Sequence, residues 1–140
     1  MKRIMSIVLV IVVSFFLVGC RAATAVYNVS NQTITTNKQQ VALEDVEKAI
    51  IRAGVGLGWV MTKAAPGEIK ATLNLRAHVA IVSIKYSTKD YTINYVSSTN
   101  LEYNAANNTI HSNYNSWIKN LNQAIQVQLD RKSTRLNSSH

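Results

Sequence analysis

The sequence predicts an α+β domain, a three- to four-stranded antiparallel meander with two helices packed on one face. Two observations support this class. Apolar and polar residues alternate through most of the stretch from Glu68 to Tyr95, the period of half-buried strands. Segments with apolar residues at helical spacing lie before and after this stretch. We expect an N-terminal signal helix and a flexible tether to precede the domain.

Residues 1–19 have the layout of a signal peptide. Lys2 and Arg3 give a positive start, and Ile4 to Val18 form an apolar run that only two serines interrupt. As a helix, this run would be about 22 Å long, short of a bilayer core of about 30 Å. That length favours a cleaved secretory segment, with an uncleaved membrane anchor as the alternative.

The end of this run, Leu17-Val18-Gly19-Cys20, resembles the bacterial lipobox, in which an aliphatic residue and small residues precede a cysteine. The resemblance implies cleavage between Gly19 and Cys20 and acylation of Cys20, with palmitate as a testable label. Several acyl chains give stable anchoring. Arg21 stands where an aspartate would retain an enteric lipoprotein in the inner membrane. The resemblance therefore implies the periplasmic side of the outer membrane. An ordinary signal peptide with an incidental cysteine is the alternative.

Residues 20–40 form a polar lead-in that we expect to tether the domain, although Val26 to Val29 could add an edge strand. The first helix is predicted over Ala42 to Ala53. Its early residues are acidic and its late residues are basic, which suits the helix dipole. Gly54 is a natural residue to end it.

The sheet is predicted to begin at Trp59 and to reach Tyr95. Strands and turns are expected in this order: Trp59 to Lys63, a turn at Ala65-Pro66-Gly67, Glu68 to Arg76, Val79 to Tyr86, a turn at Ser87 to Asp90, and Tyr91 to Tyr95. The link from Arg76 to His78 contains no Gly, Pro or Asn. It is therefore either a hairpin turn or part of one long bent strand.

The final helix is predicted over Ser112 to Leu129, after an irregular stretch from Ser97 to Ile110. The domain proper is thus expected at residues 41–129. Residues 130–140 resemble the translation of a common high-throughput sequencing adapter, so we interpret them as an artefactual, unstructured tail. A disordered basic tail is the alternative.

The net charge of +8 suggests a nucleic-acid partner. Half of this charge, however, lies in residues 1–19 and 130–140. The remaining charge is mild, and an envelope location makes nucleic acid an unexpected partner. The single cysteine excludes a disulfide within the chain.

Motifs for catalysis or for a cofactor are not found. No serine lies in a G-x-S-x-G elbow, His78 and His111 lack metal-ligand spacing, and no pair of carboxylates suggests glycoside hydrolysis. His111 lies beside the predicted start of the last helix and could pack or cap there. We expect a protein that is not an enzyme and that needs neither metal nor cofactor.

Basic residues in and beside the strands form the possible ligand face: Lys70, Arg76, His78 and Lys85. If they share one face with Tyr86, Tyr91 and Tyr95, they could bind an anionic envelope polymer, peptidoglycan or lipopolysaccharide. The alternative is a solvated face with lysine stems lying along the sheet.

Five stretches carry a resemblance to a family of small proteobacterial lipoproteins of unknown function: Val46 to Ile50, Gly58 to Met61, Ala71 to Ala80, Ile110-His111, and Asn113 to Trp117. The order of elements is also similar to lipopolysaccharide-assembly lipoproteins, a likeness of fold alone. The resemblance implies a lipid-anchored periplasmic domain. We expect it to bind a protein partner or to support envelope assembly. Binding of an anionic polymer is the alternative.

Overall fold

A computed structural model describes residues 23–36 and 41–137, with side chains through Arg131. The predicted signal helix, Gly19 and Cys20 lie outside the described residues. The elements in chain order are β1 (Thr24–Ala25), β2 (Val29–Thr33), α1 (Leu43–Gly56), β3 (Val60–Ala65), β4 (Glu68–Leu75), β5 (His78–Tyr86), β6 (Asp90–Thr99), β7 (Thr109–Ile110) and α2 (Ser112–Asn137).

The main sheet has five antiparallel strands in the order β2-β6-β5-β4-β3. Strands β3 to β6 form the predicted meander, and β2 adds a fifth strand beside β6. Strands β1 and β7 pair separately as a two-stranded ribbon. The predicted α+β class is confirmed.

One face of the sheet, here called the inner face, carries the core. In β4 the buried residues are Ile69, Ala71 and Leu73, at every second position, because successive side chains in a strand point to opposite faces. They form one cluster with the apolar stripes of α1 and α2. Burial of each large aliphatic side chain contributes about 1.5–3 kcal/mol. Both helices therefore pack on this single face.

Helix α1 ends at Gly56, two residues after Gly54. The Trp59 amide donates to Gly54 O at 2.9 Å and the Gly58 amide to Val55 O at 3.1 Å. These are the two bonds of a Schellman cap. Gly58 has φ of 88°, which glycine adopts without steric cost. The glycine that caps the helix is therefore Gly58, not Gly54.

The link after β4 is a hairpin turn, which decides between the two alternatives left by the sequence. Leu75 pairs with His78 across the turn, and Arg76 has φ of 57°. A left-handed arginine costs about 1–2 kcal/mol, and arginine is not a residue type that indicates a turn. The sequence therefore gives no local signal for this turn. Strand pairing on both sides of it holds the conformation.

Residues 24–33, which the sequence places in a tether with a possible edge strand over Val26 to Val29, pair with the domain. Thr24 pairs with Ile110, Val29 pairs with Ile93, and Val29 is buried in the core. Polar composition suggested flexibility, but backbone pairing does not depend on side-chain polarity. Residues 24–33 thus belong to the domain.

The tail is also more regular than expected. Helix α2 continues through Asn137, where an unstructured tail from Asp130 was predicted. Residues 130–137 contain neither Gly nor Pro, and each residue added to an existing helix gains a hydrogen bond without a new nucleus. Among the side chains of α2 that are described, which end at Arg131, the last buried one is Leu129.

Candidate functional site

The outer face of the sheet is the candidate site, because both helices pack on the inner face. Its residues on β4 are Glu68, Lys70, Thr72 and Asn74, which alternate with the buried ones and are exposed or half-buried. The register places their neighbours on β3, β5 and β6 on the same face.

Lys70 and Lys85 share the outer face. Lys70 pairs with Ser83 and Lys85 pairs with Glu68, so the two lysines are diagonal neighbours on β4 and β5. Glu68 lies between them and accepts a 2.9 Å hydrogen bond from Ser83 Oγ. Two exposed cations beside one carboxylate give this end of the face a small positive charge.

The other end of the outer face is aliphatic. Val60 pairs with Thr72, and Thr72 pairs with Ile81, so these three residues form one row across three strands. Val79 lies two residues before Ile81 on the same strand. Val60 is 59% exposed, and Ile81 and Val79 are half-buried. We call Val60, Val79 and Ile81 the aliphatic band.

Arg76 and His78 do not join the two lysines. Arg76 lies in the hairpin turn. His78 Nδ1 is 2.8 Å from Asn100 O, and its ring centroid is 6.4 Å from that of Trp117 on α2. Since His78 has the parity of the buried residues of β5, it packs at the edge of the core. The structure therefore divides the four predicted ligand residues among three places.

The three tyrosines considered with them face the core. Tyr86 and Tyr91 are buried, and Tyr95 contacts Tyr114 edge-on at 5.5 Å. Burial raises the pKa of Tyr91 to about 12, and its hydroxyl donates to Asn122 Oδ1 at 2.5 Å. The condition that these tyrosines share a face with the lysines is not met, because Tyr86 follows Lys85 and so points the opposite way.

A charged cluster joins the helix layer to the sheet. Glu47 of α1 accepts a hydrogen bond from Tyr86 at 2.5 Å, and Lys63 Nζ lies 3.0 Å from its other oxygen. The hydrogen bond from Tyr86, followed by that from Lys63, lowers the pKa of Glu47. Burial, followed by the hydrogen bond to Glu47, raises the pKa of Tyr86 to about 12. The lowered pKa keeps this carboxylate ionised. Glu47 is therefore better suited to hold helix α1 against the sheet than to donate a proton.

Tyr114 is a buried phenol in the middle of the core. Its hydroxyl has no hydrogen-bond partner among the described residues, and burial raises its pKa. An unpaired buried hydroxyl costs about 1–3 kcal/mol. It adjoins Tyr95, whose own hydroxyl lies 2.8 Å from Ser98 Oγ.

His111 caps helix α2, which is one of the two roles, packing or capping, that the sequence suggested. Its Nδ1 accepts a 3.1 Å hydrogen bond from the Asn113 amide, two residues further along. This satisfies one of the free amides of the first turn. Within the described part of the chain, no three His, Cys, Asp or Glu residues are grouped to hold a metal ion.

A shallow groove of about 410 Å³ runs between the two helices. Arg52 Nε donates a 3.2 Å hydrogen bond to Gln128 Oε1 across it. Leu57 and Val127 line the groove and are partly exposed. It lies on the side of the helices away from the sheet, so the domain has two open surfaces.

One residue that no sequence pattern singled out has a central position. Asn115 of α2 binds the N-terminal segment through both ends of its amide. Its Oδ1 accepts from the Tyr27 amide at 2.9 Å, and its Nδ2 donates to Ala25 O at 2.8 Å and Thr24 Oγ1 at 3.2 Å. An Asn within a helix has no local pattern that names such a distant partner.

Comparison with protein-family models, with curated proteins and with solved structures finds no match. The resemblance to small lipoproteins stays a prediction from the sequence. None of the helices in the described ranges 23–36 and 41–137 has the length and apolar character needed to span a bilayer.

Proposed function

We propose that this chain is a non-catalytic, lipid-anchored cell-envelope protein whose domain binds a protein partner or supports envelope assembly. The lipobox-like Leu17-Val18-Gly19-Cys20 supports the anchor, with Cys20 as the lipidated residue. The arginine that follows Cys20 supports the periplasmic side of the outer membrane. No catalytic role is assigned to any residue.

The observation that carries the partner proposal is the open outer face with its aliphatic band. Val60 and Ile81 lie in one row with Thr72 between them, and Val79 lies beside Ile81 on the same face; Val60 is more than half exposed. Aliphatic side chains grouped on an open face favour a protein contact. The band begins on β3, an edge strand of the sheet, whose unpaired backbone groups can accept a partner strand.

Photo-crosslinking in intact cells tests the partner. A photoreactive amino acid replaces Val60 in one variant and Thr88, in the turn after β5, in the matched control. We expect Val60 to give a discrete protein adduct that mass spectrometry identifies and that Thr88 does not give. Identical adducts from both positions, or none from Val60, would count against a partner on this face.

A separate measurement tests the anchor. Radioactive palmitate is expected to label the wild-type protein and not the Cys20→Ala variant. Equal labelling of the two proteins would sink the anchor. The crosslinking result stands independently, since it reports on the folded domain.

Binding of an anionic envelope polymer is the second candidate, and the pair Lys70 and Lys85 favours it. Both are exposed on the outer face, where carboxylates or phosphates could reach them. Sedimentation of the domain with purified peptidoglycan or lipopolysaccharide tests it. If the wild type sediments and a Lys70→Glu/Lys85→Glu variant does not, polymer binding replaces the protein partner as the favoured function.

A further inference from the structure

The N-terminal segment is fastened to the domain almost at once after the predicted lipidation site. Thr24 and Ala25 pair with Ile110 and Thr109, and the Val26 amide donates to Asn108 O at 3.0 Å. Asn115 holds the same segment through its side-chain amide. Thr24 is therefore the first of the described residues to pair with the rest of the fold.

This attachment lies at one end of the domain. The His111 amide donates to Leu101 O at 2.8 Å, and Asn100 Nδ2 donates to Ala77 O at 2.7 Å. The β1–β7 ribbon, the 100–111 segment and the β4–β5 turn thus form a continuous hydrogen-bonded end. We call residues 24–26, 75–77 and 100–111 the proximal pole.

The covalent distance from Cys20 to this pole is short. Three residues separate Cys20 from Thr24, so their Cα atoms can be at most about 14 Å apart. A domain of this size is roughly 30 Å across. A lipid on Cys20 would therefore keep the proximal pole close to the bilayer. The three residues between Cys20 and Thr24 are too few for the opposite end of the domain to turn towards the membrane.

The exposed side chains of the proximal pole suit a lipid surface. Leu75 is 45% exposed and Tyr103 is 40% exposed, and tyrosine is favoured at the level of the headgroups. Arg76 follows Leu75 in the β4–β5 turn and is exposed. Lys119 extends over the Tyr27 ring, 5.4 Å from its centroid, on the adjoining part of α2.

Most of the charged residues lie away from this pole. Glu102 is the one acidic residue within it; the others are Glu44, Asp45, Glu47, Glu68, Asp90 and Asp130. Glu47 contacts Tyr86 at the far end of β5, where Lys63 lies 3.0 Å from the same carboxylate. Glu68 pairs with Lys85 there as well. The acidic groups of the far end are thus accompanied by lysines, while the exposed Arg76 and Lys119 are available to anionic headgroups, which attract basic residues.

We propose that the proximal pole rests on a bilayer surface containing anionic phospholipid, with Leu75 and Tyr103 at headgroup level and Arg76 and Lys119 facing phosphates. This inference rests on the proposed lipid anchor. It adds an orientation that the anchor alone does not give, since the turns after β3 and β5 then face away from the membrane.

Fluorescence quenching tests the orientation on the full mature protein, purified from membranes. Acylation consumes the thiol of Cys20, the single cysteine, so an introduced cysteine can be labelled alone. The probe is placed in Ala77→Cys at the proximal pole and in Thr88→Cys in the distal turn, both exposed positions. The vesicles contain phosphatidylglycerol and a headgroup spin-labelled lipid.

We expect several-fold stronger quenching at position 77 than at position 88. The difference should shrink when Arg76→Glu and Lys119→Glu are combined, and when phosphatidylcholine replaces phosphatidylglycerol. Equal quenching at the two positions overturns the orientation. If quenching is unchanged both in the variant that combines Arg76→Glu with Lys119→Glu and in vesicles of phosphatidylcholine, the role of Arg76 and Lys119 is overturned.

Mass spectrometry of the N-terminal peptide distinguishes a failure of the proposed orientation from a failure of the proposed lipid anchor. An unmodified Cys20 removes the anchor, and with it both proposals. An acylated Cys20 with equal quenching at positions 77 and 88 retains the anchor and overturns only the orientation.

Discussion

The phenol of Tyr86 donates a 2.5 Å hydrogen bond to Glu47 Oε2, which joins the last residue of β5 to helix α1. Lys63 on β3 approaches the other oxygen of the same carboxylate at 3.0 Å. One carboxylate thus connects the helix to two strands that are not neighbours in the sheet. Tyr86 is 7% exposed, so its side of the contact is shielded from water.

Replacing Tyr86 tests the strength of this connection. Tyr86→Phe removes a hydrogen bond to a charged acceptor, so the free energy of unfolding should fall by about 1–3 kcal/mol. Urea denaturation measures it. Tyr103→Phe is the matched control, because it deletes the same atom from an exposed ring and should change stability by less than about 0.5 kcal/mol. Similar losses in both variants would show that the Glu47 contact contributes nothing particular.

The same contact predicts how stability depends on pH. The pKa of Glu47 is held below its usual 4.5 in the folded state. As the pH falls, the unfolded chain takes up this proton first, so the stabilisation present above about pH 4.5 is lost below it. Thermal unfolding of the wild type and Glu47→Gln across this range provides the measurement. The variant should show the shallower acid limb, and parallel curves would rule out Glu47 as the cause.

At alkaline pH the sign reverses. The raised pKa of Tyr86, about 12 against an ordinary 10.0, favours the protonated phenol in the folded state. Its contribution is complete below pH 10 and is lost between about 10 and 12, as the unfolded chain ionises first. Tyr86→Phe should lose less stability than the wild type over this window, as followed by circular dichroism.

Asn115 predicts a local rather than a global effect. Asn115→Ala removes the acceptor of the Tyr27 amide and the donor to Ala25 O. The amide of Tyr27 should therefore exchange with solvent much faster, while the strands of the main sheet keep their protection. Hydrogen–deuterium exchange resolves the two regions. Asn120→Ala, at an exposed position of the same helix, is the control, and identical exchange in both variants would contradict the prediction.

His111 should contribute a helix cap. His111→Ala removes the acceptor of the Asn113 amide, and loss of such a cap costs about 0.5–2 kcal/mol. His111→Asn supplies another side chain that can cap a helix, so it should recover most of the loss. Chemical denaturation of the three proteins is the test. An Asn variant as unstable as the Ala variant would mean that His111 acts through packing.

The tail after Asp130 should be dispensable for folding. Leu129 is the last buried residue among the side chains of α2 that the structure describes, so a chain that stops after Asp130 keeps every buried residue of that described part. We expect its thermal midpoint to match that of the full chain within about 2 °C, since surface changes are usually small. A clear drop would show that residues 131–140 belong to the domain. Sequencing the genomic locus tests their origin separately.

The helices and the strands of the meander were predictable because their signals are local. In β4, Ile69, Ala71 and Leu73 alternate with polar residues, and this alternation alone indicates a half-buried strand. In α2, Tyr114, Ile118, Leu121 and Ile125 recur at helical spacing and are all buried. Each pattern is complete within a few residues, so no distant contact is needed to recognise it.

The candidate site was predicted less well, since it depends on direction rather than on element type. Lys70 and Lys85 share a face as expected, while Tyr86 points the other way because it adjoins Lys85. This parity is readable from the sequence, and counting positions along β5 would have found it. The positions of Arg76 and His78 are different, because they follow from a turn that no Gly, Pro or Asn marks.

The sequence by itself determined the order of the two helices and of strands β3 to β6, the apolar side of these elements, and the lipobox-like end of the N-terminal run. The tertiary structure decided that residues 24–33 belong to the fold, and which end of the domain they join. Thr24 pairs with Ile110, 86 residues away, and the side chain of Asn115 donates a hydrogen bond to Thr24 Oγ1. Such pairing depends on the closure of a long loop and on strand register, neither of which a local pattern encodes.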